Sequence, residues 1–362
     1  MNIAITGLVN SGKTTIYNAL TGLNTETTIY ASHLEEPRIG TVKVPDARID
    51  ALIEIFKPKK IAHSTIEYID FNGLTKGDLV HNRKVLDHLK DADAVLEVIR
   101  VFRDEAVVHP DGSVDPIRDL ETLEMELIFS DFELVDKRLV RMDESLRKGK
   151  KVDEEERAIL TKCKEYLEAG TPLRRVEFTQ EEANGMRHLQ FISIKPAFVV
   201  FNIAEAEIGK PTNAALIEQA VKKTGFSAES ITALSGKVEM DIAQLSPADA
   251  ADFLADLGIE EPALRRLVSI SYDRLGLIAF LTVGEDEVKS WTIKRGTTAL
   301  KAAGKVHSDI ERGFIRAETI AYADFMRVTG SMAEARKLGL LRLEGKTYIV
   351  ADGDIINFRF NV

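Results

Sequence analysis

The residues best suited to chemistry lie near the amino terminus, where GLVNSGKT follows a short apolar run. Gly7 to Thr14 fits the pattern G-x-x-x-x-G-K-[ST], in which glycines let the backbone wrap closely around a polyphosphate. Successive N–H groups and the start of a helix supply positive potential for phosphate oxygens. In such a loop Lys13 reaches the terminal phosphates, and the Thr14 hydroxyl can bind Mg²⁺. The residues expected to contact a nucleotide here are Asn10, Ser11, Gly12, Lys13, Thr14 and Thr15.

A second group of polar residues, Asp70 to Gly73, closes the alternating segment STIEYID. In proteins with the loop described above, an acidic residue at this point holds Mg²⁺, usually through water, and the glycine amide senses the terminal phosphate. The pattern D-x-x-G alone is often only a turn, but its place behind a phosphate-binding loop favours a functional interpretation. We therefore expect Asp70 to share a metal site with Thr14, and Gly73 to contact the terminal phosphate.

A third group, NIAE at residues 202–205, follows another apolar run, where GTP-binding proteins usually carry N-K-x-D. In that motif the aspartate accepts two hydrogen bonds from guanine. Here Ile203 replaces the lysine and Glu205 replaces the aspartate. Because adenine presents an acceptor where guanine presents a donor, a rigid carboxylate would repel adenine, and a longer, displaced glutamate relaxes that restriction. An ordinary strand-to-helix turn is the alternative. The residues expected on the base side are Asn202, Glu205 and, in the loop after SITAL, Ser235 and Gly236.

The scaffold for these residues is predicted by the pattern between residues 2 and 234. Apolar or alternating runs predict strands at 2–6, 64–70, 94–101, 196–202 and 230–234, and a helix is predicted over 13–20. Strands that alternate with helices imply a mainly parallel sheet covered on both faces.

This alternation is interrupted between about residues 115 and 190 by two predicted helices. Asp115 and the proline after it have the form of an N-cap and a first helical position. An apolar stripe at helical spacing then runs to Leu146. A second helix begins after Asp153, with three glutamates in its first turn, and ends at Gly170. Joined by KGKKVD, the two helices are predicted to form an antiparallel hairpin inserted in the sheet domain.

From about Leu277 the pattern changes to that of a small mixed α+β region. The predicted strands are GLIAFLTVG, SWTIKRG, KTYIV and INFRFNV, with a short helix near 297–303. The sequence Glu344-Gly345-Lys346 predicts a tight turn between strands.

Composition limits the class of protein. The 362 residues suit two or three domains, and 44% hydrophobic residues are enough for packed cores. A single cysteine, Cys163, excludes an intramolecular disulfide and fits a reducing compartment. The start MNIAITGLVN lacks a signal-peptide pattern and no apolar run is long enough to span a bilayer, so we expect a cytoplasmic protein with no membrane partner. The net charge of −10 means that any RNA contact must come from local basic patches.

The segments GLVNSGKTT, KVPDARIDALIEIFKPKK, DFNGLTKG and NIAE, in this order, resemble the YchF group of Obg-related NTPases. The stretch from EVKSWTIKRGTTALKAAGKV to LRLEGKTYIVADGDIINFRFNV is similar to that family's TGS domain, a ubiquitin-like module. The resemblance covers nearly the whole chain. It implies an α/β P-loop NTPase domain with a mainly parallel sheet, an inserted helical hairpin domain and a C-terminal α+β TGS domain. The expected ranges are 1–118 and 191–276 for the nucleotide-binding domain, 119–190 for the helical insertion and 277–362 for the TGS domain.

The resemblance also implies a function. ATP is preferred over GTP through an N-x-x-E motif, here Asn202 and Glu205, and Ile203 lies beside the base. Association with ribosomes is the implied cellular role. The family lacks the usual catalytic glutamine after D-x-x-G, where this chain has Leu74, so another group must position water. Related enzymes use a monovalent cation held partly by the P-loop asparagine, here Asn10.

Two stretches depart from the family. The first switch normally reads like PFCTIDPN and supplies a threonine to the Mg²⁺ shell, but here it reads HLEEPRIG, with Leu34 at the threonine position. By spacing, Thr27, Thr28 and Thr41 are poor substitutes. The second switch is normally glycine-rich, whereas here it is shorter and reads DLVHNRKVLDHL. We therefore expect nucleotide binding with slow hydrolysis.

Other functions stay open. In a non-hydrolysing adaptor, the nucleotide would be structural, and the helical and TGS parts would bind RNA or protein. A small-molecule kinase is less favoured, because no acceptor-site constellation is apparent. The helical hairpin and the TGS module are expected to form the partner-binding surface. The candidate contact for a ribosome or RNA is the hairpin turn, although a solvated loop would carry the same residues, namely Arg147, Lys148, Lys150 and Lys151.

Overall fold

A computed structural model describes residues 1–25, 37–75 and 78–361. The chain forms two compact units, neither of them continuous in sequence. The first unit contains Met1–Gly40 and Glu67–Leu264, and the second contains Thr41–Ile66 and Arg265–Val362. The second unit therefore includes an early segment of the chain as well as the C-terminal region. The finer division into nucleotide-binding, hairpin and TGS domains at the predicted boundaries stays a prediction.

Strands and helices are numbered here in chain order over the described residues. The strands are β1 Asn2–Thr6, β2 Arg38–Lys43, β3 Lys60–Ala62, β4 Thr65–Asp70, β5 Ala94–Arg100, β6 Ala197–Asn202, β7 Ile231–Leu234, β8 Leu277–Thr282, β9 Glu287–Lys294, β10 Phe314–Ala321, β11 Arg342–Glu344 and β12 Asp354–Phe360. The α-helices are α1 Lys13–Thr21, α2 Ala47–Phe56, α3 Leu79–Leu89, α4 Pro116–Arg147, α5 Glu154–Glu168, α6 Gln180–Met186, α7 Pro211–Thr224, α8 Gly236–Gln244, α9 Pro247–Asp256, α10 Ala263–Arg274, α11 Ala299–Val306, α12 Ser308–Arg312, α13 Tyr322–Arg327 and α14 Met332–Lys337. Over these residues, no helix combines the length and apolar character needed to cross a membrane.

The first sheet has the strand order β2-β4-β1-β5-β6-β7. From β4 to β7 each strand pairs in parallel with its neighbour. Every residue of β5 and β6 is buried, as expected for central parallel strands covered on both faces. The five predicted strands and the helix after the phosphate-binding motif are all present, with boundaries within one residue of the prediction. The predicted α/β class with a mainly parallel sheet is confirmed.

The helical hairpin is formed by α4 and α5, and both predicted N-caps are present. The Asp115 carboxylate accepts from the Arg118 amide, and the Asp153 carboxylate accepts from the amides of Glu155 and Glu156. The early turns of α4 pack into the core of the first sheet, and the later turns pack on α5. The α4 residues in the sheet core are Ile117, Leu120, Leu123 and Leu127, and the buried residues shared by α4 and α5 are Ile128, Val135, Leu160, Cys163 and Leu167. The hairpin is therefore rooted in the core that also supports β5.

The second unit contains a mixed sheet with the order β11-β10-β12-β8-β9-β3. Antiparallel pairs join β8 to β9 and β10 to both β11 and β12, whereas β3 pairs in parallel with β9. Helix α2, which precedes β3, packs in the same unit, and its Ile49 and Leu52 share a core with Leu281 and Phe325. The predicted α+β character of the C-terminal region is confirmed.

One strand prediction in this region is wrong. KTYIV does not form a strand, and Ile349 makes only an isolated bridge with Thr298. The segment instead supplies a hydrogen-bond acceptor for the first turn of α11, where the Ala299 amide donates to the Tyr348 carbonyl at 2.7 Å. The first N–H groups of a helix need such external acceptors, and this need outweighs the local β propensity of the segment.

Candidate nucleotide site

The loop between β1 and α1 has the backbone geometry of a phosphate-binding loop. Asn10 has φ 65° and Gly12 has φ 90°, both in the left-handed region, which asparagine and glycine tolerate best. A Cβ atom on Gly12 would lie 2.2 Å from the Asn202 side-chain nitrogen, so only glycine fits there. Ser11 is buried just before the helix, and Thr15 is half-buried in its first turn.

Lys13 is the charged group of this loop, and it is only 7% exposed. Its Nζ donates to the Leu8 carbonyl at 3.1 Å, which folds the side chain back over the loop. Burial lowers the pKa of Lys13 to about 8, although the negative charge of Asp70 opposes the shift. A Cβ atom on Gly73 would lie 2.7 Å from Lys13 Nζ, so the loop after β4 passes directly beside this ammonium group.

Thr14 and Asp70 meet as predicted for a metal site. The Thr14 hydroxyl donates to Asp70 Oδ2 at 2.9 Å. Asp70 Oδ1 is buried, and over the described residues it has no hydrogen-bond partner. Burial raises the pKa of Asp70, which Lys13 and the Thr14 hydroxyl oppose. A buried carboxylate with an unsatisfied oxygen is costly unless a cation binds it, and carboxylate and hydroxyl oxygens suit Mg²⁺.

The rest of the metal shell would have to come from phosphate and water. Within the described parts of the chain, no group of three or more histidine, cysteine, aspartate or glutamate residues could enclose a metal ion. Mg²⁺ held by one or two protein groups together with substrate phosphates is the common arrangement. The donor set formed by Thr14 and Asp70 therefore fits Mg²⁺.

Leu74, the residue after the D-x-x-G motif, is tied to the phosphate-binding loop through its backbone. Its amide donates to the Gly7 carbonyl at 3.0 Å, and its carbonyl accepts from the Val9 amide at 3.1 Å. The side chain is completely buried among apolar residues. Leu74 therefore anchors the loop and offers no polar group that could orient water.

Asn202 joins three segments of the first unit. Its side-chain nitrogen donates to the Ser11 carbonyl at 3.1 Å, and its Oδ1 accepts from the Gly236 amide at 3.0 Å. Its backbone carbonyl accepts from the amides of Val101 and Phe102. Through its side-chain amide and its backbone carbonyl, the buried Asn202 thus connects the phosphate-binding loop, the segment after β5 and the loop at Ser235. Asn202 therefore fixes the positions of these loops relative to one another.

The other residues of the NIAE segment differ in burial. Ile203 is 3% exposed, and its amide donates to the Leu234 carbonyl at 2.9 Å. Glu205 is exposed at the first residue of the 3₁₀ turn Glu205–Glu207. Ser235 is buried at the N-cap of α8. The base-side roles of Ile203 and Glu205 stay predictions.

The sequence did not predict that the segment after β5 contacts the phosphate-binding loop, because that segment carries no motif. The Asn10 side-chain nitrogen donates to the Val108 carbonyl at 2.9 Å, which ties the phosphate-binding loop to the segment after β5. The next residue, His109, is buried, and its Nε2 lies 2.8 Å from an Asp119 carboxylate oxygen on α4. The role of Asn10 in holding a monovalent cation stays a prediction.

The residues of the first switch are described only in part. Leu34, Thr27 and Thr28 lie outside the described residues. Thr41 is described and is exposed in β2. The expectation that the first switch lacks a threonine ligand for Mg²⁺ therefore stays a prediction.

Two family models match the chain. A model described as "50S ribosome-binding GTPase" matches residues 2–131, which contain the phosphate-binding loop and the D-x-x-G loop. The model for the C-terminal domain of YchF GTPases, described as a protein of unknown function, matches residues 277–361.

Relatives of similar length match from end to end. The "Ribosome-binding ATPase YchF" of Bacillus subtilis is 41% identical over 368 residues, covering 100% of both chains. The protein of the same name from Haemophilus influenzae is 37% identical, covering 99% of this chain and 98% of its own. The solved structure of the Schizosaccharomyces pombe YchF GTPase is 29% identical, with a TM-score of 0.86 and coverage of 99% and 97%. With the geometry of the phosphate-binding loop, these matches confirm the resemblance: the chain belongs to the YchF family.

Proposed function

We propose that this chain is a Mg²⁺-dependent, ribosome-associated ATPase that works in the cytoplasm as a slow nucleotide switch. The observation that carries the proposal is the 2.9 Å hydrogen bond between Thr14 and the buried Asp70 carboxylate, directly beside Lys13. A hydroxyl, a carboxylate and an ammonium group held together next to a glycine loop are suited to a metal-bound triphosphate.

Each group at the phosphate end would have a distinct task. Thr14 and Asp70 would hold Mg²⁺, which, when bound, neutralises charge on the phosphate oxygens. Lys13 would leave the Leu8 carbonyl for the terminal phosphates, where its positive charge is stabilised. The Gly73 amide, adjacent to Lys13, would contact the terminal phosphate. The backbone amides of the loop, ordered by Asn202, would hold the inner phosphates.

ATP is the proposed nucleotide. Glu205 is exposed on a short turn, and over the described residues its side chain makes no hydrogen bond or ion pair. It is therefore not held in the fixed position from which a carboxylate would accept two guanine N–H groups and repel adenine. The relatives from Bacillus subtilis and Haemophilus influenzae are named ATPases, which supports the same choice.

Slow hydrolysis follows from the loop after β4. Leu74 occupies the position of the usual catalytic glutamine, and its side chain is completely buried. An apolar side chain cannot hydrogen-bond to water, and both backbone groups of Leu74 are already engaged with Gly7 and Val9, so the residue has no group free to orient a water molecule. Turnover well below the enzyme median of about 10 per second is the expected result.

Ribosome association is proposed from the names of the relatives and from a basic groove at the hairpin tip. The groove has a volume of about 220 Å³. It is lined by Arg138, Arg141, Met142, Ser145, Lys150, Lys151, Val152 and Asp153. Arg141, Lys150 and Lys151 are exposed, which leaves their charges accessible to RNA phosphates. Such attraction acts over about 8 Å at physiological salt, so it can operate on a protein with a net charge of −10.

Calorimetry on the full chain tests the nucleotide part of this proposal. We expect ATP to bind more tightly than GTP in the presence of Mg²⁺, and binding to weaken when the metal is chelated. Absence of binding by both nucleotides would refute the proposed function. Ribosome association is tested by co-sedimentation of the protein with ribosomes, in the presence of either a non-hydrolysable ATP analogue or ADP.

A further inference from the structure

The first turn of α3 holds the loop that contains Gly73. His81 Nε2 lies 2.9 Å from the Gly73 carbonyl, which can only accept, so Nε2 carries the proton and donates. Asn82 holds Thr75 at both ends, because its Oδ1 accepts from the Thr75 amide and its Nδ2 donates to the Thr75 carbonyl, each at 2.9 Å. Two consecutive helical side chains thus bind the backbone of the D-x-x-G loop.

The first turn of α3, which carries His81 and Asn82, is itself held in place. The Asp78 carboxylate accepts from the His81 amide at 3.0 Å and caps α3. Asn82 is 2% exposed, and its Nδ2 also lies 3.2 Å from a Glu126 carboxylate oxygen on α4. His81 is only half-buried. Of the two side chains that bind the D-x-x-G loop, Asn82 is therefore the more rigidly held, and His81 is the more accessible.

Gly73 needs external restraint because it must be glycine. A Cβ atom there would lie 2.7 Å from Lys13 Nζ and 2.8 Å from the Val9 backbone. Glycine is also the residue with the greatest backbone freedom, so its amide is poorly oriented unless hydrogen bonds fix the peptides around it. On one side the Leu74 amide donates to the Gly7 carbonyl, and on the other His81 holds the Gly73 carbonyl. The peptide between Gly73 and Leu74 is thus held at both its polar groups.

We propose that His81 is a positioning residue for the terminal phosphate of the bound nucleotide. By holding the Gly73 carbonyl it restrains the ψ angle of Gly73, and so helps to orient the Gly73 amide toward the phosphate beside Lys13. This inference rests on the proposed function, since it concerns the same triphosphate. It predicts that His81 contributes to binding of a triphosphate and not to binding of a diphosphate, which has no phosphate at that point.

The test compares the affinities of a non-hydrolysable ATP analogue and of ADP, measured by calorimetry with Mg²⁺ on the full chain. His81→Leu should weaken binding of the analogue by about fivefold, the effect of one lost hydrogen bond, and change ADP affinity by less than about twofold. His81→Gln, which places an N–H donor at a similar reach, should restore the preference for the analogue. Lys84→Leu, an exposed position on the same helix, is the matched control and should change neither affinity.

The inference would be overturned, while the proposed function survives, if His81→Leu leaves the ratio of the two affinities unchanged. This holds whether both affinities stay at the wild-type level or both fall equally, as expected for a purely structural histidine. If the wild-type chain binds neither nucleotide, the proposed function fails, and this inference fails with it.

Discussion

The phosphate end and the base end of the candidate site are built in different ways. At the phosphate end, Lys13, Asp70 and Asn202 are buried. Lys13 and Asn202 donate to backbone carbonyls, and Asp70 accepts from the Thr14 hydroxyl. At the base end, the residue expected to read the base, Glu205, is exposed on a short turn. The groups proposed to bind phosphate are therefore fixed by the fold, whereas the carboxylate proposed to select the base stands at an exposed position that can change without disturbing the core.

The largest effect should follow from removing the charge at the phosphate end. Lys13→Ala takes away the ammonium group beside Gly73 and leaves the phosphates without a buried positive partner. The loss should be about 3 kcal/mol, or roughly a hundredfold in ATP affinity. Calorimetry on a variant shown to be folded by circular dichroism would measure it, and an unchanged affinity would refute the assignment of the loop.

The pH dependence of ATP affinity tests the same lysine without mutation. Burial lowers the pKa of Lys13 to about 8 in the free protein, while the phosphates bind the charged form. Affinity should therefore be high below the pKa and fall as the pH rises through it, by roughly eightfold between pH 7.5 and 9. Lys13→Arg keeps its charge over this range, so the affinity of that variant should not follow the same curve. A flat profile for the wild-type chain would contradict the role of Lys13.

A smaller effect is expected at the base end. Ile203→Lys combined with Glu205→Asp restores the pattern of guanine-binding proteins and should shift the ratio of ATP to GTP affinity toward GTP by about fivefold. Because these residues do not contact the phosphates, affinity for inorganic pyrophosphate should stay constant. If the ratio does not move, base choice lies elsewhere, for example in the backbone of the Ser235 loop.

Charge reversal at the hairpin tip should leave both ends of the site unchanged. Replacing the four basic residues with glutamate should weaken ribosome co-sedimentation severalfold at moderate salt, with ATP affinity constant. The residues to be replaced are Arg147, Lys148, Lys150 and Lys151. The control variant makes the same charge change at exposed lysines of the first unit outside the hairpin tip, namely Lys84, Lys210, Lys222 and Lys223. Equal losses in the two variants would show that only net charge matters and that the tip is not the docking surface.

Local sequence patterns were sufficient for the elements that carry the phosphate end. The strands before Gly7 and Gly73 are short apolar or alternating runs, and such runs, buried within a parallel sheet, leave a clear periodic signal. The contact between Thr14 and Asp70 could be predicted, because the phosphate-binding motif and the D-x-x-G motif that contain them form one site when they occur together. The KTYIV segment shows the limit of this approach, since its strand-like composition is overridden by the need of α11 for acceptors at its start.

Contacts between distant segments left no such signal. The hydrogen bonds from Asn10 to Val108 and from His81 to Gly73 depend on how loops fold against one another, and neither residue lies in a motif that names its partner. The place of residues 41–66 in the second unit was also missed, because β3 pairs with β9 more than two hundred positions away. Pairing over such a separation cannot be inferred from composition or period alone.

That early segment has a consequence for the order of events during synthesis. Helix α2 and strand β3 leave the ribosome long before the residues that bury Ile49 and Leu52, such as Leu281 and Phe325. At about 5–20 residues per second, the roughly 200 intervening residues take about 10–40 s to make. During that interval the first unit can complete its sheet while the apolar face of α2 has no native cover. A nascent chain of this kind exposes a fixed apolar segment for a predictable time, which makes residues 47–56 the expected contact for a chaperone during translation.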